Sequence, residues 1–191
     1  CHDFLMAMAD ANHKDLTQFE RWYSQAGTPR VKLESQYRAD TKELSITLSQ
    51  SCRATPGQDK KLPFLIPVAI GLLDSTGKDI AITLDKKQAT TTCILELTQE
   101  KQTFTFKNIT EKPIISALRN FSAPVILEFE QSDKELLFLL THDSDPFNRW
   151  EASQRLALRR LETLIQSIQK NAPLDLDQAF IDAFRSVLMD N

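Results

Sequence analysis

The sequence predicts an α+β protein: an antiparallel β-sandwich of about seven or eight strands, with a helical hairpin before it and α-helices after it. Two observations carry this. The hydrophobic period is helical over residues 4–23, becomes two over residues 31–130, and returns to helical after Ser132. The strand candidates also follow one another at short, regular spacing with no helical stretch between them.

The first stretch carries Phe4, Leu5 and Met8, then Leu16, Phe19, Trp22 and Tyr23. Asp15 and Gln18 have the spacing of a capping box for a second helix, which Gly27 and Pro29 then stop. Beyond Pro29, Val31, Leu33 and Tyr37 alternate with polar residues, as do Leu44, Ile46 and Leu48. The polar residues 39–42 between these runs make a hairpin. Further strands are expected over residues 65–73, 79–84, 92–98, 102–107, 113–118 and 125–130. Pro63 and Pro67 place the third strand at a sheet edge or a bulge, because proline cannot donate to a ladder. Ser132 or Asp133 caps a helix that is apolar all round at 136–140, as suits an element buried between domains. Asp145 followed by Pro146 starts a helix of about six turns. Asp175 or Asp177 starts a last helix bearing Phe180, Ala183, Phe184, Val187 and Leu188.

Composition narrows the function classes. With 23 Lys plus Arg against 26 Asp plus Glu, the net charge is -3, and no basic face for nucleic acid is expected. No apolar run reaches the roughly 18 residues of a membrane span, so no membrane partner is expected. Cys1, Cys52 and Cys93 form neither a disulfide framework nor a CxxC pair, which fits a reducing, cytoplasmic setting.

No motif carries chemistry. His2, His13 and His142 lack the spacing of metal ligands, and His142 is expected to meet the last carbonyls of its helix. Glu128 and Glu130 share the polar face of one strand and read as solvated. Arg155, Arg159 and Arg160 read as helix-surface ion pairing with Glu151 and Glu162. Phe147, Trp150, Phe180 and Phe184 recur at helical spacing and read as core. Catalytic, cofactor-binding and metal residues are therefore expected to be none. Cys1 opens the chain within a helical pattern and without a cap, so the chain reads as a piece of a longer one. The competing possibility, a processed hydrolase with Cys1 as nucleophile, needs a strand after Cys1, and none is predicted.

Several segments carry a family resemblance: Cys1-His2-Asp3-Phe4-Leu5-Met6-Ala7-Met8, Phe19-Glu20-Arg21-Trp22-Tyr23-Ser24-Gln25-Ala26-Gly27-Thr28-Pro29 and Leu62-Pro63-Phe64-Leu65-Ile66-Pro67. Leu118-Arg119-Asn120-Phe121-Ser122-Ala123-Pro124-Val125 and Asp143-Ser144-Asp145-Pro146-Phe147-Asn148-Arg149-Trp150-Glu151-Ala152 continue it. In this order they resemble the bacterial alanyl aminopeptidase (aminopeptidase N) family of zinc metallopeptidases. The resemblance implies that residues 1–27 end a catalytic domain, 28–131 form an immunoglobulin-like β-sandwich, and 132–191 begin a C-terminal α-helical domain. It implies a parent enzyme that removes N-terminal amino acids from peptides with zinc. The family's zinc ligands and catalytic residues would all precede Cys1, leaving this chain as a non-catalytic linker whose partners are the other domains. Asn120 stands where the family commonly has Gly, and Asn tolerates the left-handed turn. The alternative is a stand-alone immunoglobulin-like module that binds a partner through a sheet edge or an exposed helical stripe.

Overall fold

The computed structural model describes residues 1–84, 88–175 and 177–189. Helix α1 (His2–Asn12) buries only Leu5 and ends at His13, whose φ of 50° is left-handed. The second half of the predicted hairpin differs from expectation. Asp15 Oδ1 accepts from the Thr17 amide two residues on, not from Gln18, so the chain turns through residues 17–20 and α2 is the single turn Arg21–Ser24.

Among the described residues seven strands follow: β1 (Arg30–Arg38), β2 (Glu43–Ser51), β3 (Ile66–Leu73), β4 (Cys93–Leu97), β5 (Lys101–Phe106), β6 (Ile114–Ala117) and β7 (Ile126–Glu128). They form one sheet in the order β5-β2-β1-β7 and another in the order β4-β3-β6. The expected hairpin spans β1 and β2, in register from Arg30 opposite Ser51 to Arg38 opposite Glu43. The sheets are not wholly antiparallel, because β7 runs parallel to β1 from Arg30 opposite Ile126 to Lys32 opposite Glu128.

Two further expectations change. Residues 79–84 form no strand of their own. Ile80 N donates to Leu72 O, and Ile82 pairs only with Thr90, so this segment extends the flank of β3 beyond the end of β4. Strand β3 is the central strand of its sheet, despite Pro67. Strand β6 pairs only with Ile70–Leu73, so at Pro67 just one neighbour, β4, is present and the missing donor is tolerated.

The inward residues of both sheets share one core. Val31, Leu33, Ile46 and Leu48 from one meet Ile66, Val68, Ile70, Leu95 and Leu97 from the other. Burying each such side chain contributes about 1.5–3 kcal/mol. A second cluster joins the end of β3 to three helices: α3 (Asp133–His142), α4 (Pro146–Gln169) and α5 (Gln178–Met189). It contains Leu73, Leu136, Leu139, Leu140, Ala152, Leu156 and Ala183. Helix α3 starts in a full capping box between Ser132 and Glu135. Helix α4 starts at Asp145, whose side chain accepts from Asn148 N, with Pro146 in its first turn. For α5 the starting group is Asp177, whose Oδ1 accepts from Phe180 N. No described helix is long and apolar enough to cross a membrane.

Candidate functional site

The sequence singled out residues that the structure scatters. His2 Nδ1 lies 2.8 Å from Glu20 Oε1, while His13 ends α1. His142 does not bind the carbonyls of its helix. Its ring packs on Phe138 at 4.7 Å and closes over Gly77, where a Cβ would come within 2.6 Å of it. Glu128 and Glu130 are exposed, and Glu128 pairs with Arg30 at 2.8 Å. The proposed aromatic core divides. Phe180 and Phe184 pack on the helical cluster, whereas Phe147 contacts Phe121 and Trp150, and both of those are more than half exposed.

Two of the three arginines singled out on α4 are also reassigned. Arg155 donates to Gln131 Oε1 and Phe129 O, and Arg159 to Gln131 O and Asp133 Oδ1. They tie α4 to the segment between β7 and α3 instead of pairing along their own helix. Burial, helped by the neighbouring Arg159, pulls the Arg155 pKa down, against the charge of Glu151.

What the fold does build is two junctions, one at each end of β3. At the first, Trp22 packs on Phe64 with ring centroids 4.7 Å apart, and its indole N–H donates to Leu65 O. Gln25 exchanges two hydrogen bonds with the backbone of Leu62. Gln58 does the same across Ser24 and Ala26. Gln18 reaches Pro63 O and Thr98 O, and Lys61 Nζ donates to Ala26 O.

The second junction centres on Arg119, which is 2% exposed. Its Nε donates to Ser116 Oγ at 2.8 Å, its Nη1 to Thr92 Oγ1 at 3.1 Å and Thr91 O at 3.3 Å. Its Nη2 meets Asp79 Oδ1 at 2.6 Å and Asp143 Oδ1 at 3.0 Å. The guanidinium lies flat against β3, since a Cβ on Gly71 would fall 2.0 Å from Arg119 Cζ. Around it the backbone turns left-handed at Leu118, Asn120 and Phe121, so Asn120 does take the turn expected of it. Asn120 N donates to Asp145 Oδ2, while the other oxygen of Asp145 caps α4. Asn148 Nδ2 returns to Ser116 Oγ at 2.7 Å, and Ser144 Oγ donates to Asp79 Oδ2 at 2.5 Å. One buried guanidinium thus connects β3, β6 and the segments that precede and follow Asp79 and Asp143. Burial pushes the Asp143 carboxyl up from its ordinary value, outweighing the Ser116 hydroxyl, the Asp145 N–H and Arg119. The available sequence signal for this node was Gly71, a glycine inside an otherwise apolar strand, which marks a close approach.

Residues 27–130 match a family model described as a domain of unknown function (DUF3458) with an Ig-like fold. Residues 133–191 match DUF3458_C, described as ARM repeats. Aminopeptidase N of Escherichia coli (strain K12) is 43% identical over 190 residues, covering 100% of this chain and 22% of the relative. The chain belongs to the aminopeptidase N family. Aminopeptidase N of Haemophilus influenzae is 35% identical over 188 residues, covering 98% of this chain and 21% of the relative. Among solved structures, Legionella pneumophila aminopeptidase A in complex with aspartic acid aligns with a TM-score of 0.77 at 30% identity, covering 100% of this chain and 20% of that one. The chain therefore spans about a fifth of the length of these aminopeptidase relatives.

The zinc that the family implies does not fit the described side chains. Among the described residues no group of three or more His, Cys, Asp or Glu converges in a way that could hold a metal ion. Asp79, Asp143 and Asp145 do lie close together, but each already serves Arg119 or backbone amides through at least one oxygen.

Proposed function

We propose that this chain is the non-catalytic connecting part of an aminopeptidase N that removes N-terminal amino acids from peptides. In this reading residues 1–27 belong to the catalytic domain, 28–131 form the immunoglobulin-like sandwich, and 132–191 open the C-terminal helical domain. The zinc and the residues that use it lie elsewhere in the longer cytoplasmic protein. The partners of this segment are the domains on either side of it.

The observation that carries the reading is the placement of the two junctions. Trp22 grips the start of β3 through Phe64 and Leu65, and the Arg119 node with the helical cluster grips its end at residues 71–73. An eight-residue strand holds those ends about 25 Å apart. Both of its faces are buried, so it cannot bend without opening a core. A spacer of this kind fixes the separation of the parts it joins, and so the size of polypeptide that reaches a site between them.

The test has two arms. This chain, supplied with equimolar zinc, is expected to show neither aminoacyl-anilide hydrolysis nor stoichiometric metal; turnover or tight zinc would overturn the proposal. In the longer protein, Arg119→Met is expected to leave zinc content unchanged while raising cleavage of long polypeptides relative to dipeptides. An unchanged ratio would remove the spacer role.

A further inference from the structure

Two carboxylates meet one guanidinium at the second junction, and a third stands beside them. Asp79 and Asp143 share Arg119 Nη2, and Asp145 follows two residues after Asp143. The side chain of Asp79 is 18% exposed and both of its oxygens have partners, Arg119 and Ser144. Asp145 stands at the start of α4, where a negative charge is favoured, and its two oxygens accept from Asn148 N and Asn120 N.

Asp143 is placed less favourably, with partners for one oxygen alone. Its side chain is fully buried, and it occupies the C-terminal cap of α3, where the helix dipole opposes a negative charge. Oδ1 accepts from Arg119 and from Asp145 N, but Oδ2 has no hydrogen-bond partner. The Ser116 oxygen receives Arg119 Nε and Asn148 Nδ2, which leaves its hydroxyl proton for this carboxyl, but a neutral hydroxyl supplies no counter-charge. The neighbouring His142 turns away onto Phe138, and Arg149 of α4 directs its Nε to Leu140 O. A second full negative charge thus has no counter-charge of its own, and an uncharged oxygen without a partner costs far less here than an ionised one.

We propose that Asp143 is a proton-binding latch: with Oδ2 protonated the junction closes, and loss of that proton loosens α3 and α4 from the sheets. The sign follows from linkage. A carboxyl held above its ordinary value when folded contributes stability that is complete below the unfolded value near 3.8 and is lost as pH rises through the folded one. This is the reverse of an ordinary carboxylate in an ion pair. The latch operates in this chain alone and does not depend on the connecting role proposed above.

The experiment is a 13C titration of the Asp143 carboxyl in this chain, beside melting curves of wild type and Asp143→Asn from pH 4 to pH 8. The expected midpoint lies above 3.8, and the Asn120 amide and Asn148 side-chain signals move with it. Asp143→Asn, a neutral isostere, is expected to match wild type at pH 4 and to melt several degrees above it at pH 8. A midpoint at or below 3.8 would overturn the latch, as would a variant that loses the same stability at both pH values. If the variant does not fold, the wild-type titration alone decides.

Discussion

The two junctions of the sheets solve one problem with different chemistry. The first, between residues 18–27 and residues 58–65, uses neutral amides, backbone groups, one tilted indole and the cations of Arg21 and Lys61 on backbone carbonyls, with no ion pair among the described residues, and much of it faces water. The second, around Arg119, puts a guanidinium and carboxylates out of water. Neutral amide contacts are individually modest, at about 1 kcal/mol each, so the first junction weakens gradually as they are removed. The second is held all or none, because removing one partner strands the others in a place where charge is costly.

Substitutions at each junction sharpen this contrast. Arg119→Met has the largest expected effect, a loss of about 3–5 kcal/mol in urea unfolding, since it strips the Asp79 carboxylate of its counter-charge and takes donors from Asp143 Oδ1 and Ser116 Oγ. Hydrogen exchange in that variant is expected to rise in α3 and α4 before it rises in β1 and β2; uniform acceleration would show that the node supports the whole molecule. Trp22→Ala is expected to cost about 2–3 kcal/mol, less than a fully buried tryptophan, because the ring is only half-buried. Its damage is confined to residues 1–27 and 58–65, and a proteolytic cut there with an intact helical half would confirm it. Ser132→Ala comes last, at about 1 kcal/mol, as it removes one cap at the start of α3 and touches neither junction. A larger loss would mean that this capping box also sets the angle at which α3 meets the node.

Much of the architecture was legible because alternation and capping are local. Val31 and Leu33, Leu44 and Ile46, and the signals at Ser132 and Asp145, each declared an element whose bounds the structure confirms within two residues. The misreadings share a cause. Asp15 and Gln18 matched a helix start, but Gln18 is drawn away to Pro63 O and Thr98 O, partners 45 and 80 residues distant. Residues 79–84 alternated well enough for a strand, yet only the part of β3 beyond Ile70 was open to them on that flank. Arg155 and Arg159 had suitable acids on their own helix and instead serve backbone and side chains at residues 129–133. The parallel pairing of β7 was hidden for the same reason, since its partner lies almost a hundred residues earlier. Arg119 was the hardest to see. Nothing within a few residues distinguishes it from a surface arginine, and only Gly71 hinted at what lies over β3.

The parallel run of β7 beside β1 bears on mechanical force. The chain enters the sheets at the start of β1 and leaves at the end of β7, and the two strands point the same way. Pulling the flanking helices apart therefore drags the two strands past each other lengthwise, so their ladder bonds are strained together instead of unzipping in turn. A moving neighbour that tugs on α3 would be met as if by a taut strap, and the motion would be passed on to α1 with little slack.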